Sequence, residues 1–186
     1  MKIIVWDTET TGLPIQNSRK GFLKPENYKC YDSARLVEIS MFFYENEILQ
    51  YKINYIIRPD NFEIKNSHIH GITQENALEN GIDIKFVLTK VYDMMKDCDK
   101  LVAHNIQFDK NILLAEAYRY NHMELIQCIE EKEKVCTMLL GQKKLNLKKR
   151  PKLCELYSIL FQKEPDVELH RASNDVMLCA ECYFKL

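Results

Sequence analysis

No run of apolar residues in this 186-residue chain approaches the roughly 20 that a membrane-spanning helix needs. No secretory leader is expected from the opening residues either: Lys2 is followed by only four apolar residues before Asp7. Charge of one sign is also missing. The formal net charge is -1, so the molecule exerts no global pull on a polyanion, and any such binding needs a local basic patch or metal ions. A disulfide frame is excluded by number and placement. The seven cysteines (Cys30, Cys98, Cys128, Cys136, Cys154, Cys179 and Cys182) are odd in number and scattered. They read as free thiols in a reducing compartment, which points to an intracellular and first of all cytoplasmic protein. Repeats, low-complexity tracts and linkers are absent. With 46% hydrophobic and 28% charged residues, the chain is expected to form one globular domain over residues 1–186.

What is present is an alternation of strand-like and helix-like segments. Residues 2–7 read as a first strand, followed by a loop over 12–33 with Pro14, Gly21 and Pro25. "ARLVEISMFFYENEILQYKINYIIRP" reads as two β-rich runs with a turn at Glu45-Asn46 and an end at Pro59. The first three strands therefore form an antiparallel meander. "HIHGITQENALENG" reads as a short turn and helix. Residues 83–97 carry Ile84, Val87, Leu88, Val91, Met94 and Met95 at helical spacing. "KLVAHN" is a further strand, residues 108–120 a helix, and the segment around Val135 a fifth strand. Residues 152–161 and 172–184 are the last helices. A meander followed by alternating helices and strands predicts an α/β sheet with helices packed on it.

The candidate chemistry lies where these elements end. Asp7 and Glu9 close the first strand, and side chains at i and i+2 of a strand share a face. Both carboxylates project from the carboxyl end of a strand, the edge at which α/β sheets bind ligands. Two anions so close repel each other unless a cation lies between them, and oxygen-only donors favour Mg²⁺ or Mn²⁺. "LVAHNIQFDKNIL" repeats the design: an apolar strand, a polar turn, then Asp109 in the first turn of a helix. "ELHRASNDVMLCAEC" sets His170 before a helix and Asp175 in its early turns. Taken singly, each acid is also an ordinary helix-start or strand-end residue.

Four carboxylates and a histidine at element ends suit phosphodiester hydrolysis with two divalent ions about 4 Å apart. In that reading Asp7 bridges both ions, Glu9 and Asp175 complete the site that generates the nucleophile, and Asp109 supports the second ion. His170 takes the proton from the attacking water, as neutral imidazole can near neutral pH.

"DTETTGL", "HNIQFDKNIL" and "HRASNDV" resemble, in this order, the three motifs of the DnaQ-like (DEDD) 3′–5′ exonucleases. A histidine five residues before the last aspartate resembles the DEDDh subtype. The other subtype has tyrosine four residues before it, where this chain has Arg171. "IHGIT" and "PKLCELY" resemble secondary features of the family. The resemblance implies a ribonuclease H-like fold: a five-stranded mixed sheet, its first three strands antiparallel, flanked by helices. It implies as catalytic residues Asp7, Glu9, Asp109, His170 and Asp175, the four acids holding two Mg²⁺ or Mn²⁺ ions. It further implies that Thr10 and Leu13 lie beside the terminal nucleotide, with His104, Asn105 and Phe108 lining the other side. Two residues are consistent with this on their own chemistry: Gly12 allows a close backbone approach to a ligand, and an exposed Leu13 suits a base to pack on.

The expected activity is removal of 5′-mononucleotides from a 3′ end that is single-stranded or frayed. "HGIT" and "DTETTGLP" resemble the DNA-directed, proofreading-type branch, so DNA is favoured. RNA 3′-end trimming and an inactive nucleic-acid-binding module are the alternatives, and a polymerase or a second copy of the chain is the conceivable protein partner. The 15–33 segment, with Arg19, Lys20, Lys24, Lys29, Phe22, Tyr28 and Tyr31, reads either as a strand-binding loop or as a surface loop with Phe22 tucked onto the core. The run Lys143, Lys144, Lys148, Lys149, Arg150 and Lys152 reads either as a solvated face or as a phosphate-binding patch. His68 and His70 read as structural, Met94-Met95 as a helix core stripe, and Cys179 with Cys182 as thiols of a helix rather than a zinc site.

Overall fold

The computed structural model describes residues 1–17, 21–167 and 170–186. Seven strands are present among them: β1 (Lys2–Thr10), β2 (Gln16–Asn17), β3 (Gly21–Phe22), β4 (Leu36–Glu45), β5 (Ile48–Ile56), β6 (Lys100–Ala103) and β7 (Glu133–Cys136). The helices are α1 (Ser67–His70), α2 (Gln74–Asn80), α3 (Ile84–Met95), α4 (Ile106–Arg119), α5 (Met123–Glu131), α6 (Thr137–Lys144), α7 (Leu153–Phe161) and α8 (Ala172–Lys185). Five strands form a mixed sheet in the order β5-β4-β1-β6-β7. The β1–β4 and β4–β5 pairs are antiparallel, and β1–β6 and β6–β7 are parallel. The meander and the fifth strand are thus as expected.

Several details differ. β1 runs to Thr10 rather than Asp7, because β4 continues to pair with it: Asp7 opposes Ser40 and Glu9 opposes Glu38. The β4–β5 turn is Asn46-Glu47 rather than Glu45-Asn46. Both residues have positive φ, 51° and 67°, as a two-residue hairpin turn whose twist matches its strands requires. The 12–33 loop holds the small β2–β3 ladder and a 3₁₀ helix at Tyr28–Tyr31. Arg19 and Lys20 of that loop lie outside the described residues. Tyr31 is fully buried and Tyr28 packs on the core beneath the Arg119 guanidinium. Two of the loop's aromatics are therefore committed to packing.

Strand alternation sorts β1 between two layers. Ile4 and Trp6 face the main core with Val87 and Val91 of α3, Ile112 of α4 and Leu125 of α5. Ile3 and Val5 face α8 through Val176, Cys179 and Ala180. Both α8 cysteines, Cys179 and Cys182, are core residues, and all seven thiols are free. Met94 and Met95 are buried on α3, and His70 is buried with its ring on the Ile72 amide and the Lys65 carbonyl. No helix among the described residues is long and apolar enough to cross a membrane.

α4 is locked to the sheet by a buried ion pair. Arg35, at the entry to β4, donates to Glu116 at 2.6 and 3.2 Å, and Glu116 also accepts the Leu36 amide at 3.3 Å. Glu116 has a second ion-pair partner in Arg119, at 3.3 Å, so loss of Arg35 leaves it half-compensated. The cost is then at the lower end of the ~3–5 kcal/mol that breaking a buried pair costs, whereas an apolar replacement of both Arg35 and Glu116 is tolerated better. Arg35→Met is therefore expected to lower the unfolding free energy by about 3 kcal/mol, and Arg35→Met/Glu116→Leu to recover most of that loss. Urea unfolding of the three proteins checks this, and equal destabilisation in the single and double variants would refute it.

Candidate active site

Three chain segments meet at the carboxyl end of β1. The odd-numbered residues of β1 present Asp7 and Glu9 on the α8 face, beside Glu38 and Ser40 of β4. From the neighbouring parallel strand β6, the chain passes through Asn105, with φ 65°, into α4, whose first turn carries Asp109. From the other side α8 brings Asp175 in its own first turn.

The protein orients these acids with specific donors. The Thr8 amide and hydroxyl both donate to one oxygen of the buried Asp109, at 3.1 and 2.8 Å. That carboxylate is thereby fixed against β1. The His170 amide donates to Asp175 at 3.2 Å, and His170 takes a left-handed backbone, φ 63°, to do so. This turn leaves His170 exposed at the rim of the site. Glu9, His170 and Asp175 each offer a ligand atom, and these lie within 4.8 Å of one another.

Electrostatics follow from crowding. Burial is the largest cause in every case. The Asp7 carboxyl is held well above its ordinary range by burial and then by Asp109, Asp175, Glu9 and Glu38. Glu9 rises to about 8, with Asp175 and Glu38 adding to burial and Arg171 opposing. Asp109 rises to about 7 although the Thr8 hydroxyl pulls it down, and Asp175 rises against the pull of the His170 amide. A set of hard oxygen donors that lie too close to ionise together fits a divalent cation of the Mg²⁺ or Mn²⁺ class.

The expected nucleotide-binding residues divide into two groups. Leu13 is 70% exposed, unusually so for a leucine. The Phe108 ring lies 6.0 Å from that of Phe22, which makes the loop aromatic a neighbour of the proposed base pocket. The Thr10 hydroxyl donates to the Gly12 carbonyl at 2.8 Å and so shapes the turn. Gly12 is needed for a close approach to the chain itself: an added Cβ would lie 2.9 Å from the Ser33 carbonyl oxygen. His104 and Asn105 line a cavity of about 510 Å³ that also reaches His170 and Asp175. The His104 ring is braced on both sides, by the Thr137 hydroxyl at 3.0 Å and the Pro151 carbonyl at 3.1 Å. Burial pushes it down to about 4, so it is neutral.

Sequence reasoning missed Glu38. It is fully buried within the apolar run of β4 and accepts from Asn54 at 2.8 Å, from the Arg171 guanidinium at 3.2 Å and from the Ala172 amide at 3.2 Å. Glu38 therefore ties the start of α8, and with it the residues around His170, to the sheet. The available signal was its register: it stands opposite Glu9.

The exonuclease family model RNase_T matches residues 4–183. No curated protein sequence matches the chain. Among solved structures, the zinc-bound complex of Escherichia coli exonuclease I with single-stranded DNA is similar with a TM-score of 0.72 at 13% identity. That match covers 98% of this chain but 39% of exonuclease I, so the chain spans well under half of that protein. Exonuclease X in complex with 5′ overhanging duplex DNA gives 0.59 at 20% identity, covering 98% of this chain and 89% of the other. The Mg²⁺- and Mn²⁺-bound form of Schizosaccharomyces pombe Pop2p gives 0.69 at 16%, covering 98% and 81%. At these identities the structures establish a shared fold, the ribonuclease H-like mixed sheet. The family model spans nearly the whole chain, and on that ground this protein belongs to the RNase_T exonuclease family.

Proposed function

We propose that this exonuclease-family protein is a divalent-metal-dependent 3′–5′ exonuclease that releases nucleoside 5′-monophosphates from 3′ ends, with DNA as its substrate. One observation carries the reading: Asp7, Glu9, Asp109 and Asp175 converge from β1, α4 and α8 on one sheet edge beside His170. The DNA-bound states of exonuclease I and exonuclease X are in keeping with DNA, while a similar 3′-exonuclease that recognises the histone mRNA stem-loop (TM-score 0.69, 14% identity) makes RNA 3′-end trimming the second reading.

In this reading the four carboxylates hold two cations, which when bound supply charge neutralisation at the phosphodiester and a more acidic attacking water. His170 accepts the proton of that water through its imidazole. Its exposed, left-handed position before α8 lets the ring reach the acids while its own amide holds Asp175. Leu13 and Phe108 receive the terminal base by apolar contact and stacking, each worth ~1–3 kcal/mol, which favours unpaired ends. Arg171 lies beside Glu38 and Glu9, where it limits the repulsion between the acids and an incoming phosphate.

The direct test uses 5′-labelled single-stranded DNA and RNA in parallel with Mg²⁺ or Mn²⁺. A descending ladder on DNA is expected. Immediate release of a labelled 5′ mononucleotide would refute the direction, and a ladder on RNA alone would refute the substrate.

The raised carboxyls generate a second prediction. Glu9 moves from an ordinary 4.5 to about 8 in the folded chain, so the metal-free native state keeps a proton that the unfolded state has released. The stability that Glu9 contributes is then fully present below the ordinary carboxylate range and is lost as pH rises from about 4 toward 8. Asp7, Asp109 and Asp175 act in the same direction and outweigh the opposite contribution of the buried His104. The melting temperature in EDTA should fall over that range, and Glu9→Gln should flatten the fall. Binding of Mn²⁺ near pH 7 should release protons, seen as a heat that depends on the buffer's ionisation enthalpy. Buffer-independent heats, or a melting temperature that rises from about pH 5 to 8, would contradict the electrostatic account.

The third prediction concerns His170. At saturating Mg²⁺, His170→Ala should lower turnover by about 10²–10⁴-fold and leave the melting temperature near that of wild type. If His170 only braced α8, the variant would instead melt earlier and keep near-normal turnover, so rate and melting temperature together separate the two.

A further inference from the structure

The basic run between α6 and α7 borders two cavities that share a wall. The cavity of about 510 Å³ that begins at His170 and Asp175 continues past Asn105 and Met138 to Arg150, Pro151, Lys152 and Cys154. On the far side of Pro151 and Cys154 lies a second cavity of about 550 Å³. Its surface is mostly apolar, and Leu147 and Ile159 line it together with Lys148, Lys149, Glu155 and Glu164. Ile159 is 47% exposed although it is a large apolar residue. Lys148, Lys149, Arg150 and Lys152 are all exposed, and of these Lys149 has an ion-pair partner, Glu155 at 3.2 Å.

We propose that this second cavity, with Lys148 and Lys149, is a binding subsite for the substrate strand upstream of the nucleotide being removed. The proposal rests on the exonuclease reading of the acidic site. Two observations select this occupant. The cavity adjoins the one at the acidic site, with Pro151 and Cys154 lining both, so a chain whose end lies at His170 passes next to it. Its lining combines apolar side chains that suit a base face with the exposed cations of Lys148 and Lys149 for phosphates, Lys149 exchanging its Glu155 partner for one. The wall is also fixed in place, since the Pro151 carbonyl is bonded to the His104 ring and the Lys152 amide to Glu155. In a chain of net charge -1 this is a local concentration of positive charge next to an acidic site that repels phosphates.

The test compares wild type with Lys148→Ala/Lys149→Ala and, separately, Ile159→Glu, with circular dichroism to verify folding. Two readouts are used: kcat/KM on a dinucleotide and on a dodecathymidylate, and anisotropy of fluorescein-labelled dodecathymidylate in EDTA. The double variant should lose about tenfold in the ratio of kcat/KM for the dodecamer to that for the dinucleotide. The slope of log affinity against log salt should become shallower by about 1.4, since each single-strand phosphate that a lysine neutralises adds ~0.7 to it. Ile159→Glu should lower the same ratio. Unchanged ratio and slope, or an equal loss on both substrates, would overturn the subsite. If wild type bound the dodecamer with the expected salt slope yet hydrolysed neither substrate, the exonuclease reading would fail while the subsite stood.

Discussion

Mutual repulsion among buried carboxylates is the constraint around which this molecule is organised. Burial first, and then the charges of the neighbouring acids, raise Asp7, Glu9, Asp109 and Asp175 above their ordinary range, with Glu38 among those neighbours. A fold can hold such a set only by giving its members donors from the surrounding frame. Asp109 has the Thr8 amide and hydroxyl, Asp175 the His170 amide, and Glu38 the Ala172 amide with Arg171 and Asn54. Most of these bonds cross between elements that are far apart in sequence. The same donors that make the acids tolerable also hold α4 and α8 on the sheet, so the geometry of the site and the packing of its helices are a single problem.

The order of strands explains why the acids converge at all. β1 is central, with antiparallel β4 on one side and parallel β6 on the other. The parallel pairing puts the carboxyl end of β6, and hence the start of α4, beside the carboxyl end of β1. The antiparallel pairing brings the beginning of β4 to that same edge, which is how Glu38 comes to face Glu9. The Arg35–Glu116 pair then fixes α4 against the entry to β4, at the end of the helix opposite Asp109.

Much of this is legible in the sequence where chemistry and periodicity agree. The i, i+2 acids after an apolar run, the acid in the first turn after "LVAHN", and the histidine before α8 are local patterns with local causes. What escaped is set by tertiary context. α5 has no Ser, Thr, Asp or Asn at its start; its N-cap is His122, whose ring accepts the Leu125 amide. α6 contains Gly141, which reads as a breaker but is a packing residue: a Cβ there would meet Leu156 at 2.6 Å. Glu38 sits inside "LVEISMFF", where nothing local distinguishes a buried carboxylate with three donors from a solvent-facing strand residue. Its role becomes visible only once the register opposite Glu9 is known.

His104 shows how one residue joins these levels. Its motif position suggests a direct role at the nucleotide, whereas both its ring nitrogens are engaged by Thr137 and Pro151. Thr137 begins α6 and Pro151 precedes α7, so the ring links the end of β6 to the start of α6 and to the segment that enters α7. A charged ring would be costly in that position, and burial keeps it neutral. Neutrality matters for the neighbourhood as well as for the ring. Between the acidic edge and the cations of residues 148–152, an uncharged brace adds to neither field. Phosphates are then attracted by the exposed basic rim and repelled by an acidic edge that lacks cations. Under the proposed exonuclease function, entry of the scissile phosphate would thus be coupled to occupancy of the acids by metal, while the upstream strand would bind without it.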